Sequence, residues 1–235
     1  MAAALTVLSS LEILFLIFSS SRLPPHRKPQ SLPPQNQFVL SALRTFYFDG
    51  VTEYLEDLAS TFVDAPQRRF LYITFLNQIN FDCSRLAQFI DCLPTLRVLD
   101  KAHVQFEDFT ATIRLEYRTS DSLYLTIDIN CREPNWQLSS LSRVCNSPLP
   151  PLSTVEDLCI THHYREQVWK NDANEHALWL QLLLPYTSVK NLYLSEKIAS
   201  VIAKELGSFR ENIGQFITAR QLSGHPVVIS VRNEV

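Results

Sequence analysis

The sequence predicts an α/β fold built from repeated units, each a short strand followed by a helix. Two observations predict it. Apolar residues recur at positions n, n+3 and n+5 in seven places along the 235 residues, in four complete frames and three incomplete ones. Several of the segments between the frames carry apolar residues at helical spacing. A strand that alternates with a helix in this way buries its apolar side only when the next unit stacks on it.

The strand frames start 25 to 34 residues apart, which is the length of a leucine-rich repeat. Side chains at n+3 and n+5 point to the same face of a strand. We therefore expect an irregular leucine-rich-repeat-like solenoid. The complete frames are Leu11/Leu14/Leu16, Leu43/Phe46/Phe48, Val155/Leu158/Ile160 and Val189/Leu192/Leu194, and the incomplete ones are Arg68/Leu71/Ile73, Leu96/Leu99/Lys101 and Ser122/Leu125/Ile127.

Three segments between the frames predict amphipathic helices that return the chain to the next strand. The second follows an N-cap candidate, Ser84, and the third ends at Gly207, a residue typical of the position just past a helix. Their apolar residues are Tyr54, Leu55, Leu58 and Phe62 in the first helix, Leu86, Phe89, Ile90 and Leu93 in the second, and Ile198, Val201, Ile202 and Leu206 in the third.

One region departs from this pattern. Apolar and polar residues alternate strictly near Thr110 and Thr112 and again from Leu123 to Ile129, as in a half-buried hairpin. We expect an antiparallel β-hairpin insertion around residues 104–131.

The proline clusters predict loops within one domain. Residues 24–34 contain too many prolines for a helix or strand, and Pro148, Pro150 and Pro151 directly precede the sixth strand frame. The same frame continues on both sides of each cluster. We therefore expect residues 1–235 to form a single domain.

An apolar run from Leu5 to Phe18 has two interpretations. It has the hydrophobicity of a signal peptide or membrane anchor, but no Lys or Arg precedes it, Glu12 interrupts it, and it is shorter than the roughly 20 residues of a membrane span. These features favour a buried repeat strand, with a weak targeting segment as the alternative.

Composition narrows the class of protein. At 46% hydrophobic residues the chain is not a disordered tail. A net charge of −3 gives no basic footprint for nucleic acid. The five cysteines form neither a CxxC pair nor an even disulfide framework, so we expect an intracellular location, cytoplasmic or nuclear.

Longer runs of the sequence resemble the leucine-rich-repeat portion of F-box-like proteins of basidiomycete fungi. The most specific runs are WQLSSLSRVCNSPLPPLSTVEDLCI at 136–160 and QFITARQLSGHPVVIS at 215–230, and others lie at 46–60, 73–90 and 184–196. The resemblance implies repeats that select a client protein for a cullin-based ubiquitin ligase. The chain shows no L-P-x-E-I/L start of an F-box, so the resemblance implies binding to the ligase adaptor only if an F-box lies upstream. Relative to the family pattern, the C-terminal stack is expected to be incomplete near 207–214.

No combination of residues predicts catalysis, a cofactor or a metal. Cys159, His162 and His163 are chemically suited to zinc, but Cys159 precedes the inward Ile160 and so points to the opposite face of its strand. There is no G-x-S-x-G motif, and the four glycines form no phosphate-binding loop.

Aromatic residues are the candidates for contacts with a partner, because Trp and Tyr are enriched at the centres of protein interfaces. We single out Trp136, Tyr164, Trp169 and Tyr186 near strand ends and loops of the later repeats, while expecting two of the three tryptophans to belong to the core. The expected function is non-catalytic protein binding, with no membrane or nucleic-acid partner. The alternatives are a truncated or degenerate paralogue without adaptor binding and, more remotely, a small α/β hydrolase or transferase.

Overall fold

In the computed structural model, ten strands of the described part of the chain form one sheet. The structure describes residues 10–18, 38–52, 54–55, 62–64, 70–76, 90, 99–117, 120–131, 134–147, 150–163, 173–199, 201–202, 216–220 and 227–232. The strands are β1 (Ile13–Ile17), β2 (Phe38–Val39), β3 (Thr45–Gly50), β4 (Phe62–Asp64), β5 (Phe70–Leu76), β6 (Lys101–Phe106), β7 (Thr110–Tyr117), β8 (Ser120–Asn130), β9 (Asp157–His162), β10 (Asn191–Leu194), β11 (Phe216–Arg220) and β12 (Val227–Arg232). The helices are α1 (Pro134–Asn146) and α2 (Ala173–Leu183), with a 3-10 helix at Pro150–Thr154.

The sheet mixes parallel and antiparallel pairs in the order β1-β3-β5-β8-β7-β6-β9-β10-β12-β11. Strands β1, β3, β5 and β8 are parallel, as are β6, β9 and β10. The remaining neighbours pair antiparallel. Strands β2 and β4 form a separate parallel pair. The fold is therefore mixed α/β, as the sequence predicts at that level.

Six of the seven strand frames are confirmed at n+3 and n+5. The side chains at these positions lie on one face of the sheet and belong to a single hydrophobic core, which includes Leu14, Phe46, Leu71, Leu125, Leu158 and Leu192. Strand β1 forms within the apolar run near the N-terminus, but the expectation of a buried strand is corrected for one of its faces: Ile13, Phe15 and Ile17 are exposed.

The frame starting at Leu96 is wrong by three residues. Strand β6 begins at Lys101, and its buried side chains are Ala102, Val104 and Phe106, so Leu99 occupies the first slot. Lys101 lies on the opposite face, with 38% of its side chain exposed. The short side chain of Ala102 gives a weak apolar signal in the sequence, although it fills the n+3 position of a strand.

The antiparallel region expected around 104–131 is confirmed in direction and corrected in position. Strand β7 pairs antiparallel with both β6 and β8, and the chain reverses at Glu107, whose amide donates to the Thr110 carbonyl. The three strands form a meander in the middle of the main sheet rather than an insertion outside it. As a result β8 lies beside β5 and β6 lies beside β9, so the strands do not follow chain order there.

Helices α1 and α2 supply the second layer. Leu138, Leu141 and Val144 of α1 and Leu182 of α2 are fully buried in the same core as the sheet residues. Helix α1 begins at Pro134, a residue suited to the first helical position because that amide has no partner within the helix. The two helices pack together, α1 lies against β7 and β8, and Trp179 of α2 contacts Phe106 of β6. Both helices therefore lie on the same face, in the middle of the sheet.

Gln137 joins α1 to the meander. Its side chain is fully buried, and its amide donates to the carbonyl oxygens of Cys131 at 2.8 Å and Glu107 at 3.0 Å. Both acceptors lie at strand ends, where the backbone has left the ladder of the sheet. The glutamine thus satisfies acceptors that the strands no longer satisfy.

We expect Gln137→Leu to lower the free energy of unfolding by about 1 to 3 kcal/mol, because it takes a hydrogen-bond donor away from two carbonyl oxygens. Urea denaturation measures the change. Gln181→Leu, at an exposed position of α2, is the matched control and should stay within about 0.5 kcal/mol of the wild type. Equal losses in the two variants would contradict the structural role of Gln137.

The expected helices are described only in part. The prediction for the first helix is wrong at its C-terminal end, because Phe62 lies in strand β4. In the second, residue 90 is helical and buried, and in the third Ile198 and Ile202 are buried in helical turns. The proline-rich loop at 24–34, Gly207 and residues 207–214 lie outside the described residues. In the part of the chain that the structure describes, no helix is both long and apolar enough to cross a membrane.

Candidate functional site

The face of the sheet opposite α1 and α2 is the candidate site, and we call it the open face. Its side chains alternate along each strand with the buried ones and are mostly half-buried or exposed. The strand registers align one residue from each of eight strands in a row across this face. That central row is Phe15, Tyr47, Tyr72, Thr126, Arg114, His103, Cys159 and Tyr193.

Aromatic rings form a stack at one end of the open face. The Phe15 and Tyr47 rings lie 4.5 Å apart and tilt by 14°, and those of Tyr47 and Tyr72 lie 4.1 Å apart and tilt by 6°. Tyr124, in the next row, meets Tyr72 edge-on at 5.1 Å. Because adjacent strands are about 4.8 Å apart, aligned rings on neighbouring strands come into stacking contact. We call Phe15, Tyr47, Tyr72 and Tyr124 the aromatic ladder.

Most ring faces of the ladder are covered by neighbouring rings, apart from the outer face of Phe15 at the edge of the sheet. Stacking uses both faces of the Tyr47 ring, and Phe15 and Tyr124 cover parts of the rings beside them. A sugar or a nucleobase binds an aromatic surface by stacking on an open ring face. The geometry of the ladder suits contact with side chains of another protein better than stacking of such ligands.

Next to the ladder, charged residues from β6 and β7 form a second group, the charged cluster. The Arg114 guanidinium lies over the Tyr124 ring at 4.6 Å and pairs with Glu116. Lys101 approaches the same carboxylate at 3.8 Å. Two cations thus share the Glu116 carboxylate, and Asp157 of β9 lies opposite Lys101 in the register, so the cluster places charges of both signs beside the aromatic ladder.

His103 lies within the charged cluster, 4.0 Å from a Glu116 oxygen. Burial lowers the pKa of its imidazole, and repulsion by Lys101 lowers it further, against the opposing attraction of Glu116. The imidazole is therefore neutral near pH 7, and the positive charge of the cluster resides on Arg114 and Lys101.

Carboxylates lie in another row of the open face, two residues after the central row in β3 and β8. Asp128 accepts a hydrogen bond from the Thr112 hydroxyl at 2.7 Å, but burial raises the pKa of its carboxyl. Burial also raises the pKa of Asp49 on β3. In the aligned register Thr74 lies between these two acids, so they do not share a proton or a ligand directly.

The residues predicted to contact a partner are not brought together. Trp136 is 49% exposed, but it lies on α1, on the other side of the sheet from the ladder. Tyr186 is a correction: it is 7% exposed, and its hydroxyl lies 3.7 Å from the Cys145 sulfur, so it is a core residue. Tyr164 and Trp169 lie outside the described residues. Trp179 is fully buried and belongs to the core.

The aromatic ladder was missed, although the sequence carried a signal for it. In the first three frames along the chain, which start at residues 11, 43 and 68, the residue at n+4 is aromatic and lies between the two inward residues. These residues are Phe15, Tyr47 and Tyr72. Aromatic residues at the same outward position of successive units indicate a continuous row on the exposed side of the sheet.

The structure places Cys159 and His162 on opposite faces of β9. Leu158 and Ile160 are buried, so Cys159 lies on the open face and His162 on the buried face. Burial raises the pKa of the Cys159 thiol despite nearby Lys101, which leaves it protonated and a poor metal ligand or nucleophile. Among the described residues, no three His, Cys, Asp or Glu side chains are grouped so that they could hold a metal ion.

A surface depression of about 300 Å³ lies on the helical side of the molecule. Two of its polar side chains are already engaged: the Asn146 amide donates to the carbonyls of Ser142 and Gln181, and the Ser147 hydroxyl to that of Val144. Burial raises the pKa of the Cys145 thiol, also at this depression, to about 12. The depression therefore presents no activated nucleophile or converging polar groups.

Comparisons with known proteins found no relative of this chain. No protein-family model, no curated protein and no solved structure matches the chain. The resemblance to fungal F-box-like proteins rests on the sequence runs quoted above and stays a prediction.

Proposed function

We propose that this chain is a non-catalytic protein-binding module whose open face contacts a client protein, in the manner of the client-selecting part of an F-box ubiquitin-ligase receptor. One observation carries the proposal. The two described helices lie on one face of the sheet, while the other face places the aromatic ladder beside the charged cluster.

The chemistry of the open face suits a protein surface. Tyr and Arg dominate the energetics of protein interfaces, because they bury large areas while keeping hydrogen-bond donors available. Arg114 is 47% exposed on the face of the sheet and is held in place by Tyr124 and Glu116. Its guanidinium is therefore preorganised to meet a carboxylate of the client.

The dimensions of the open face support the same conclusion. Eight strands spaced about 4.8 Å apart make it roughly 34 Å wide. A standard protein interface covers about 800 Å² on each partner, and a face of this width can contribute such an area. By contrast, the depression beside Cys145 lacks the converging polar groups of a small-molecule site.

We also propose that the strand and helix units are diverged leucine-rich repeats. The confirmed frames, with strands in one layer and helices packed on one side, support this assignment. The β6-β7-β8 meander interrupts the repeat order and widens the sheet by an antiparallel strand. Binding to a cullin-ligase adaptor is part of the proposal only if an F-box lies upstream of these repeats.

The proposal is tested with a variant of the ladder and one of the helical side. In Tyr47→Ser/Tyr72→Ser, two stacked rings of the open face are lost. Trp136→Ser removes an exposed aromatic residue from α1. Quantitative affinity capture from cells identifies candidate clients, and each is then purified and its dissociation constant measured against all three proteins.

For at least one client, we expect the dissociation constant to rise at least about tenfold in the ladder variant. The same constant should change less than about twofold in Trp136→Ser. Urea denaturation verifies that both variants remain folded. If every client binds the ladder variant as tightly as the wild type, the open face is not the binding surface.

A further inference from the structure

Strand β1 forms one edge of the ten-stranded sheet and has an unusual composition for an edge. Its five residues are Ile13, Leu14, Phe15, Leu16 and Ile17. Within the described part of the chain, β3 is the one strand paired with it. Natural edge strands generally carry a charge, a proline or a bulge that prevents pairing with another chain, and β1 carries none of these.

Three side chains of this strand are exposed on the open face. Ile13 is 52% exposed, Phe15 57% and Ile17 70%. They alternate with Leu14 and Leu16, which pack in or against the core. An apolar row of this kind at the end of a sheet is typical of a surface that is covered in an assembly.

The backbone of β1 fixes which groups face the outer edge. The Glu12 carbonyl accepts from the amides of Arg44 and Thr45, and the Phe18 amide donates to the Asp49 carbonyl. Even-numbered residues of β1 thus direct their amides and carbonyls toward β3. In an extended strand the next residues direct theirs the opposite way, so those of Ile13, Phe15 and Ile17 face outward.

The sequence of β1 reads the same in both directions, Ile-Leu-Phe-Leu-Ile. We propose that two copies of this chain pair antiparallel through β1, about a two-fold axis at Phe15. In that register Phe15 faces Phe15 of the second copy, Ile13 faces Ile17, and Leu14 faces Leu16. The outward amides and carbonyls of Ile13, Phe15 and Ile17 in each copy then meet as hydrogen-bonded pairs.

Side chains match in the same register. The three exposed residues of each copy fall on one face of the joined sheet and become cross-strand neighbours. The Phe15 ring stacks on Tyr47 on its inner side, so its outer side is free to contact the Phe15 ring of the second copy. The aromatic ladder then continues from one copy into the other. Glu12 falls opposite Phe18 of the second copy, which keeps the two carboxylates at opposite ends of the strand pair.

A second copy fits this edge for a reason of symmetry. A two-fold interface requires a surface that complements itself, and a palindromic strand with self-matching hydrogen bonds does so at every position. Each copy has one β1, so pairing closes at a dimer and does not propagate into a fibre. The inference goes beyond the client-binding proposal. Phe15 belongs to both surfaces, but the dimer is tested by oligomeric state and not by client binding.

The dimer is tested first by oligomeric state. Sedimentation velocity of the full chain over a range of concentrations gives the dimer dissociation constant. Phe15→Lys places two charges opposite each other at the axis and is expected to raise that constant at least about 100-fold. Phe109→Lys, at a residue 62% exposed in the turn between β6 and β7, is the matched control and should leave it unchanged.

The register is tested by disulfide cross-linking. Cysteine in place of Phe15 should form a covalent dimer under mild oxidation, because facing residues of a hydrogen-bonded pair have Cα atoms about 5.5 Å apart. Ile17→Cys alone should not, since the two substituted residues lie about 13 Å apart along the strands. A mixture of Ile13→Cys and Ile17→Cys chains should cross-link as heterodimers.

Three results would overturn the proposal. One is a monomer at every concentration, and another is a dimer that Phe15→Lys leaves intact. The third is cross-linking of Ile17→Cys as efficiently as Phe15→Cys. Amide hydrogen exchange provides a further check, because protection of the Ile13, Phe15 and Ile17 amides in monomeric Phe15→Lys protein would show that a segment of the same chain covers the edge, which also contradicts the dimer.

Discussion

Replacing Trp179 with alanine is expected to lower the free energy of unfolding by about 3 to 5 kcal/mol. Trp179 lies in α2, is fully buried, and is the largest of the fully buried side chains that the structure describes. Its ring meets the Phe106 ring of β6 edge-on at 5.5 Å. Truncation therefore opens a cavity between the helical layer and the sheet, at the place where the meander joins the parallel strands.

Trp136→Ala is the matched control, since it removes the same side chain from a position that is 49% exposed. Its free energy of unfolding should stay within about 0.5 kcal/mol of the wild type. Urea denaturation followed by circular dichroism measures both variants. A loss of less than about 1 kcal/mol in Trp179→Ala would mean that α2 does not pack on the sheet as described.

The strands were predictable because their signal is local. Two side chains at n+3 and n+5 face the core in six of the seven predicted frames, and the first-slot residues Leu43 and Val155 are buried as well. Each of these positions is fixed by backbone geometry and burial alone. The mixed α/β class follows from the same pattern, which is why residues from Leu14 to Leu194 share one core.

The order of the strands was not predictable in the same way. Which strand lies beside β5 depends on whether β6 or β8 pairs with it, and both carry alternating apolar residues. The continuous meander of β6, β7 and β8 is compatible with either order, and the structure has β8 rather than β6 beside β5. Pairing of this kind is a non-local property, and the hydrophobic pattern is almost identical for both arrangements.

For the candidate site, the sequence predicted the type of residue but not its position. The sequence singled out aromatic side chains, but their exposure is set by the layer in which each residue lies. Tyr186 follows α2 and is covered by Cys145 and the rest of the helical layer. Tyr47 and Tyr72 lie in strands, on the side that no described helix covers. The sequence gives the alternation within a strand, whereas the face that the helices cover depends on packing.

Acidification is expected to destabilise the protein through His162. This side chain ends β9 on the buried face of the sheet and is 8% exposed. Burial lowers the pKa of its imidazole to about 4, and repulsion by Lys197 and His163 acts in the same direction, while Asp108 opposes it. In the unfolded chain the ordinary value of about 6.5 applies.

The direction of the change in the free energy of unfolding follows from proton uptake. Between pH 6.5 and 4 the unfolded chain binds a proton at His162 that the native protein does not bind, so the free energy of unfolding falls as the pH falls through this window. One proton contributes at most about 1.4 kcal/mol for each pH unit, which limits the total to about 3 kcal/mol. The pKa values of Asp49 and Asp128 are raised by burial, so these two groups act in the opposite direction as the pH falls toward 3.8.

Comparison with His162→Leu isolates the histidine, because the aspartates are present in both proteins and their contributions cancel in the difference. Urea denaturation at pH 7, 6, 5 and 4 gives the free energy of unfolding of each protein. We expect the wild type to lose stability relative to His162→Leu between pH 6.5 and 4, with no further relative change below that range. Parallel curves for the two proteins would show that His162 takes up its proton as easily in the native protein as in the unfolded chain, and hence that the end of β9 is open to water.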